Sequence, residues 1–186
     1  MKVLLHVCCG ICAVPAAERL MCEGHIVTGF FYNPNIHPVD EYKKRLAAAE
    51  KAAKELGFEL IEGMYDREKW FENAKGVEYE KEGGKRCERC FYMRLARTYD
   101  YMKRKNFDMF ATTLSAGPMK NVEVINSIGR SIGGEKFFLA DFKKKGGAQR
   151  GIELAKEWNL YRQDYCGCIY SLEEKFAREK ARDEGR

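Results

Sequence analysis

No stretch of this 186-residue chain comes near the roughly 18 consecutive apolar residues of a membrane-spanning helix, so no membrane span is expected. The opening apolar run, MKVLLHVCCG, is too short for a signal peptide and meets no small-residue cleavage site. The expected compartment is therefore the cytoplasm. There is no Walker A motif and no Gly-x-Gly-x-x-Gly after the first apolar run. Neither nucleoside triphosphate nor dinucleotide use is indicated. Internal repeats and low-complexity linkers are missing too, and the length suits one domain with a sizeable core. Nor does one sign of charge dominate. Lys plus Arg number 33 against 28 Asp plus Glu, a net +5 that permits a polyanionic partner without demanding one.

What the chain has is cysteine in an uneven distribution. Eight cysteines fall as Cys8-Cys9-x-x-Cys12, Cys87-x-x-Cys90 and Cys166-x-Cys168, with Cys22 alone. The intervening stretches, 13–86 and 91–165, are 74 and 75 residues long. Scattered core cysteines do not bunch in this way. In a reducing compartment they read as metal ligands or redox thiols rather than a disulfide framework. Three distant clusters make chemical sense if the fold brings them to one point around metal. Zinc knuckles place two pairs about 12–20 residues apart, far closer than these. Iron–sulfur clusters take four thiolates, and seven clustered cysteines exceed that need. The surplus could hold a second metal or act as redox thiols. Cys22, at a helix end beside Glu23-Gly24, reads as a bystander. Cys12, about one helical turn beyond Cys9, could face the site or the core.

Apolar periodicity predicts strands over Val3–Val7, Ile26–Tyr32, Phe58–Ile61, Phe107–Leu114 and Phe137–Ala140. Between them lie helices from Ala13, from Pro38, over Arg67–Ala74, after Cys90 and over Val122–Ile132. Gly151–Trp158 and a C-terminal helix over about 171–186 complete a single domain spanning 1–186. Pro15 is expected in the first turn of its helix. Alternating strands and helices imply an α/β fold, a doubly wound, Rossmann-like parallel sheet of about five strands with flanking helices. Such sheets bind ligands beyond the carboxyl ends of their strands. Cys8 and Cys9, Ser115–Lys120 and Asp141–Lys145 all follow predicted strands. Helix N-termini at Cys9 and Cys87, with Arg86 and Arg89 beside the latter, favour thiolates. His6 reads as a core histidine and His25 as surface. Lys143-Lys144-Lys145 would ordinarily be a solvated face. With Arg150, Arg162, Phe142, Tyr161 and Tyr165 nearby it also suits phosphate contact and base stacking.

Several segments together resemble one family, the QueH cobalamin-independent epoxyqueuosine reductases. They are Leu5-His6-Val7-Cys8-Cys9 with Cys12, and Tyr32-Asn33-Pro34-Asn35-Ile36-His37-Pro38 with Glu41, Tyr42 and Arg45. Arg86-Cys87-x-x-Cys90-Phe91, Arg94-Leu95, Thr112-Thr113-Leu114 and Asp141-Phe142-Lys143-Lys144 follow. Leu160-Tyr161-Arg162-Gln163-x-Tyr165-Cys166-Gly167-Cys168 is the most specific. Gly10-Ile11 departs from the Ala-Pro expected before Cys12. The resemblance implies a fold like that of adenine nucleotide alpha hydrolases. It implies reduction of an epoxide on the cyclopentane ring of a modified base in the tRNA anticodon loop. The implied cofactor is a 4Fe–4S cluster, with an additional mononuclear iron where surplus thiols allow it. The implied partners are tRNA bearing epoxyqueuosine and an external electron donor, without cobalamin. On this reading Cys9 and Asp141 are catalytic. Cys8, Cys9, Cys87, Cys90, Cys166 and Cys168 are metal ligands. Asn33, Lys143, Lys144, Arg150, Tyr161, Arg162 and Tyr165 meet substrate. The competing readings are a zinc-bearing RNA-binding module and a thiol oxidoreductase using Cys166-x-Cys168.

Overall fold

The structure, a computed structural model, describes residues 1–184. Its elements run β1 (Lys2–His6), α1 (Gly10–Cys22), β2 (Ile26–Phe31), α2 (Val39–Leu56), β3 (Glu59–Glu62), α3 (Arg67–Ala74) and α4 (Lys85–Arg104). There follow β4 (Met109–Thr112), α5 (Val122–Gly133), α6 (Gly147–Glu157) and α7 (Ile169–Glu184). The strands form one parallel sheet in the order β3-β2-β1-β4. In the centre Leu5 pairs with Gly29 on one side and Ala111 on the other.

Period-two alternation in β1 explains the two helical layers. Val3, Leu5 and Val7 point to the face covered by α1 and α2, with Val14, Leu20 and Ala49 in the same cluster. Leu4 points to the opposite face, against Leu95, Met102 and Ile125 from α4 and α5. Close approach sets the start of α1. A Cβ on Gly10 would lie 2.4 Å from the Ala48 carbonyl oxygen of α2, so only glycine lets the two helices meet there.

The sheet has four strands, not five. Phe137 makes a single parallel bridge to Phe110, and Phe138 N–H donates to the Phe110 carbonyl at 2.8 Å. The chain then leaves the edge. The Phe137 ring drives against Gly129 of α5, where a Cβ would lie 2.3 Å from the ring. The apolar run 137–140 caps the core instead of extending the sheet. α1 also begins three residues earlier than periodicity indicated, so Pro15 lies in its interior. The C-terminal helix starts at Ile169, and residues 185–186 lie outside the described part.

The chain leaves β1 towards β2 on one side, while β4 arrives on the other. The topological switch is therefore between β1 and β4. In a sheet of this kind, the crevice above those strand ends is where ligands bind.

Candidate metal centre

Immediately beyond β1 the chain turns into α1, and this turn carries Cys8 and Cys9. Cys12 follows one helical turn on. The three sulfurs lie within 4.8 Å of one another, with Cys8 and Cys9 Sγ 3.8 Å apart. A tetrahedral ion with metal–sulfur bonds of about 2.3 Å spaces its sulfurs about 3.8 Å apart, so the group fits one metal ion. Thr113, just past β4, fixes Cys8 twice. Its hydroxyl oxygen accepts from Cys8 N–H at 3.0 Å and donates to Cys8 Sγ at 3.2 Å. Gln163 Nε2 donates to Cys9 Sγ at 3.0 Å.

These thiols share charge unequally. Donation from Cys12 and Cys9, aided by Arg94 and Thr113, holds Cys8 well below the ordinary thiol value. Cys12 is pushed up by its bonds to Cys8 and Cys9 and by burial. Cys9 gains from Cys12, but its donation to Cys8 and its burial prevail and push it up to about 12. Of the three, Cys8 is thus the thiol whose surroundings most favour negative charge. Arg94 is the nearby cation, 3% exposed, giving Nη2 to Asn33 Oδ1 at 2.6 Å. Its Nε has no partner among the described residues.

A second group comes from two distant segments. Cys87 and Cys90 are one turn apart at the start of α4, and Cys166 and Cys168 lie on the loop before α7. Cys90 and Cys168 pack with Trp70 and Ala74. Burial, followed by the charge of Cys166, pushes the Cys87 thiol up to about 11 and raises Cys168 as well. Gly83 N–H donates to Cys87 Sγ at 3.2 Å, and Ser171 N–H to Cys168 Sγ at 3.4 Å. Lys120 Nζ donates to Cys166 Sγ at 2.7 Å. All eight cysteines are free thiols.

The loop bearing Cys166 is clamped from α2. Arg45, itself paired with Glu41 at 2.6 Å, donates to the carbonyls of Cys166 at 2.9 Å and Tyr165 at 3.0 Å. Gly167, at φ +126°, lets the loop pass this guanidinium, because a Cβ there would lie 2.9 Å from Arg45 Nη1. His37 N–H donates to the Gly167 carbonyl at 2.8 Å. Arg86 of α4 pairs with Glu174 of α7 at 2.8 Å, which ties together the elements flanking both cysteine pairs.

One cavity of about 490 Å³ joins these parts, lined by Cys8, Cys12, Cys87 and Cys166 together with Arg94 and Lys120. All three sequence clusters therefore reach it. Tyr165 lines it as well, with the Arg45 guanidinium 5.1 Å from its ring centre. Asn33 is fully buried and used internally, donating to the Val7 carbonyl at 2.9 Å and accepting from Arg94. Asp141 closes a turn, its Oδ1 accepting from Lys143 N–H at 3.1 Å. Lys143 Nζ donates to the Lys120 carbonyl at 3.1 Å. Tyr161 donates to Glu41 at 2.6 Å, and Arg162 is exposed. Lys144 and Arg150 line a different cavity, of about 520 Å³, beside Glu18 and Cys22. Arg150 pairs there with Glu18 at 3.0 Å. Sequence patterns did not single out Lys120, Gln163, Arg94 or Arg178 as site residues, though each lines the cysteine cavity. For Gln163 a signal was available: its place three residues before Cys166 in the most specific segment.

Comparison with known proteins identifies the relatives of this chain. The family described as "Epoxyqueuosine reductase QueH" matches residues 3–174. A Thermotoga maritima protein of that name is 41% identical over 181 residues, covering 93% of this chain and 91% of its own. One from Haemophilus influenzae is 40% identical over 176 residues, covering 92% of this chain and 71% of its own. One from Dehalococcoides mccartyi is 36% identical and covers 95% of this chain and 96% of its own. Among solved structures, a predicted subunit of tRNA methyltransferase from Methanocaldococcus jannaschii superposes with a TM-score of 0.53. It is 22% identical and covers 84% of this chain and 76% of its own, a likeness of fold alone.

Proposed function

The chain belongs to the QueH family of epoxyqueuosine reductases, and is thus an oxidoreductase; from that premise we propose that it removes the epoxide oxygen from epoxyqueuosine in tRNA to give queuosine. The observation that carries this reading is the meeting of all three cysteine clusters at one cavity beyond the β1 and β4 strand ends. The reaction breaks both C–O bonds of the epoxide. It takes up two electrons and two protons, and leaves an alkene and water. The electrons come from an external donor, without cobalamin.

The donor chemistry suits two metal groups. Cys87, Cys90, Cys166 and Cys168 would hold a 4Fe–4S cluster, which takes four thiolates: Cys90 packs with Cys168, and Cys87 and Cys166 line one cavity. Cys8, Cys9 and Cys12 would hold an additional mononuclear iron, on the spacing given above. Bound there, the cluster supplies single electrons and the lone metal supplies Lewis acidity towards an epoxide oxygen. The protein's own residues prepare the site. Thr113 and Gln163 orient Cys8 and Cys9, and the buried guanidinium of Arg94, which also donates to Asn33, favours negative charge at Cys8. Cys9 remains the catalytic candidate of the pair. Asp141, which closes its own turn, is left out of the set.

The RNA is assigned to the basic residues at the surface. Tyr165 and exposed Arg178 sit at the cavity itself, and exposed Arg162 lies close by in sequence. Lys143, Lys144, Arg150 and Tyr161 extend the surface available to phosphates and bases. One domain over 1–186 suffices for this assignment.

Anaerobic iron and sulfide analysis, joined to turnover on tRNA bearing epoxyqueuosine, tests the reading. The expected content is about four iron and about four sulfide per chain, plus one further iron. Protein carrying stoichiometric zinc and no sulfide, and giving no turnover, would overturn it in favour of a zinc-bearing RNA-binding module.

A further inference from the structure

Lys120 is the most deeply placed lysine at the cysteine cavity. It sits four residues after the turn at Thr113–Ala116, with its side chain only 16% exposed. Burying an ammonium is costly unless it is paired and hydrogen-bonded. Its nearest partner is a sulfur rather than a carboxylate. Nζ is 2.7 Å from Cys166 Sγ and 3.6 Å from Glu82 Oε1. The Phe91 ring centre lies 5.7 Å away, which closes the apolar side. Its backbone is held as well, the carbonyl taking the Lys143 ammonium at 3.1 Å. The lysine is therefore a fixed positive charge between sulfurs contributed by α4 and by the loop before α7.

We infer that Lys120 is a positioning residue that raises the reduction potential of the centre held by Cys87, Cys90, Cys166 and Cys168. The inference rests on the cofactor reading above. Each electron added to a thiolate-bound centre makes it more negative. A fixed ammonium in contact with a ligand sulfur stabilises the reduced state more than the oxidised one, because hydrogen bonds and net charge at the sulfurs set such potentials. At low dielectric this charge acts with little screening. Glu82 works in the opposite sense, cancelling part of the lysine's field from 3.6 Å.

The test is an anaerobic dithionite titration, followed by visible absorbance, of the iron-loaded wild type and of Lys120→Met, Lys120→Arg and Glu82→Gln. Methionine keeps the length and removes the charge. It should lower the equilibrium constant for one-electron reduction about tenfold, which is 59 mV for a one-electron couple. Arginine should recover most of the shift. Glu82→Gln should move the potential upward. Iron-loaded Lys120→Met titrating with wild type overturns the inference alone. A wild type that takes up no iron and sulfide overturns the cofactor reading, and this inference with it. Should Lys120→Met fail to load, Glu82→Gln decides the matter, because a lowered or unchanged potential there contradicts the proposed field.

Discussion

The two cysteine groups are built in opposite ways. Cys8, Cys9 and Cys12 belong to five consecutive residues on one strand-to-helix turn. Their convergence costs almost no loop closure, and Gly10 packed on Ala48 holds the turn. Cys87 and Cys90 meet Cys166 and Cys168 across 75 residues of chain, and three separate ties secure that meeting: Arg45 on the loop carbonyls, Arg86 on Glu174, and Lys120 on Cys166. A local group survives disturbance elsewhere, whereas an assembled group depends on every tie. The local group should therefore act as an autonomous metal site, and the assembled group should be the more fragile half of the enzyme.

Single Cys→Ser variants probe this contrast hardest. A serine hydroxyl is nearly the size of the thiol but a poor ligand for iron. At Cys87, Cys90, Cys166 or Cys168 the change should remove the visible absorbance, about four iron per chain and all turnover together. At Cys8, Cys9 or Cys12 it should leave the absorbance and abolish turnover. Cys22→Ser should do neither, since that thiol is exposed and away from both groups. Full activity in both Cys87→Ser and Cys166→Ser would remove the shared-site idea.

Next in size is Arg45→Ala. It leaves the buried Glu41 carboxylate with only the Tyr161 hydroxyl and takes the Arg45 donors from two loop carbonyls. Breaking a buried pair from one side costs about 3–5 kcal/mol. Denaturant midpoints should drop accordingly, and cluster content should fall. Metal binding at Cys8, Cys9 and Cys12 should persist, as measured by cobalt uptake. Equal loss at both groups would mean that they are not separable.

Thr113→Val turns the test on the local group. It removes both contacts to Cys8 with little change in volume. Partners that orient ligands typically contribute about 10–100-fold in metal affinity or activity. That loss is expected in turnover, with the cluster's absorbance unchanged.

The same contrast explains what could be read before any coordinates. The sheet was legible because Val3–Val7 is a short, nearly continuous apolar run, and because α2 repeats its apolar face by three and four. The meeting of the cysteine clusters was legible from their positions after strands and at helix starts. The fifth strand was misread because an apolar run such as 137–140 looks the same whether it pairs with a neighbour or only packs. Phe137 makes one bridge to Phe110 and then packs against Gly129, so the run stops short of a strand. The pairings of the site's cations stayed hidden for a related reason, although Lys120 ends a segment expected beyond a strand and Arg94 lies in a segment that carries the family resemblance. Lys120 meets Cys166 across 46 positions, and Arg94 meets Asn33 across 61. No periodicity marks such a pairing. Cys12 was undecided between site and core because one helical turn from Cys9 is compatible with both. The structure places it among buried apolar residues and at the cavity wall at once.

The smallest expected effect concerns acid. His37 braces the assembled group through its N–H to Gly167, and its ring stacks on Phe71 and leans on Trp70, which packs on Cys90 and Cys168. Both ring nitrogens lack partners among the described residues. Burial, helped by Arg67, lowers its pKa from 6.5 to about 4. The unfolded chain therefore binds this proton below pH 6.5, while the folded one refuses it until about pH 4. Stability must fall as pH drops through that window. His6, held down to about 3 chiefly by burial, bends the curve in the same direction from beneath the local group. The difference between proteins isolates His37. In His37→Phe the stacking survives and the titration is gone. Its denaturant midpoint should decline less steeply than that of the wild type between pH 6.5 and 4, with the two curves parallel above pH 7. Parallel curves throughout would show that the aromatic box around His37 admits the charged ring.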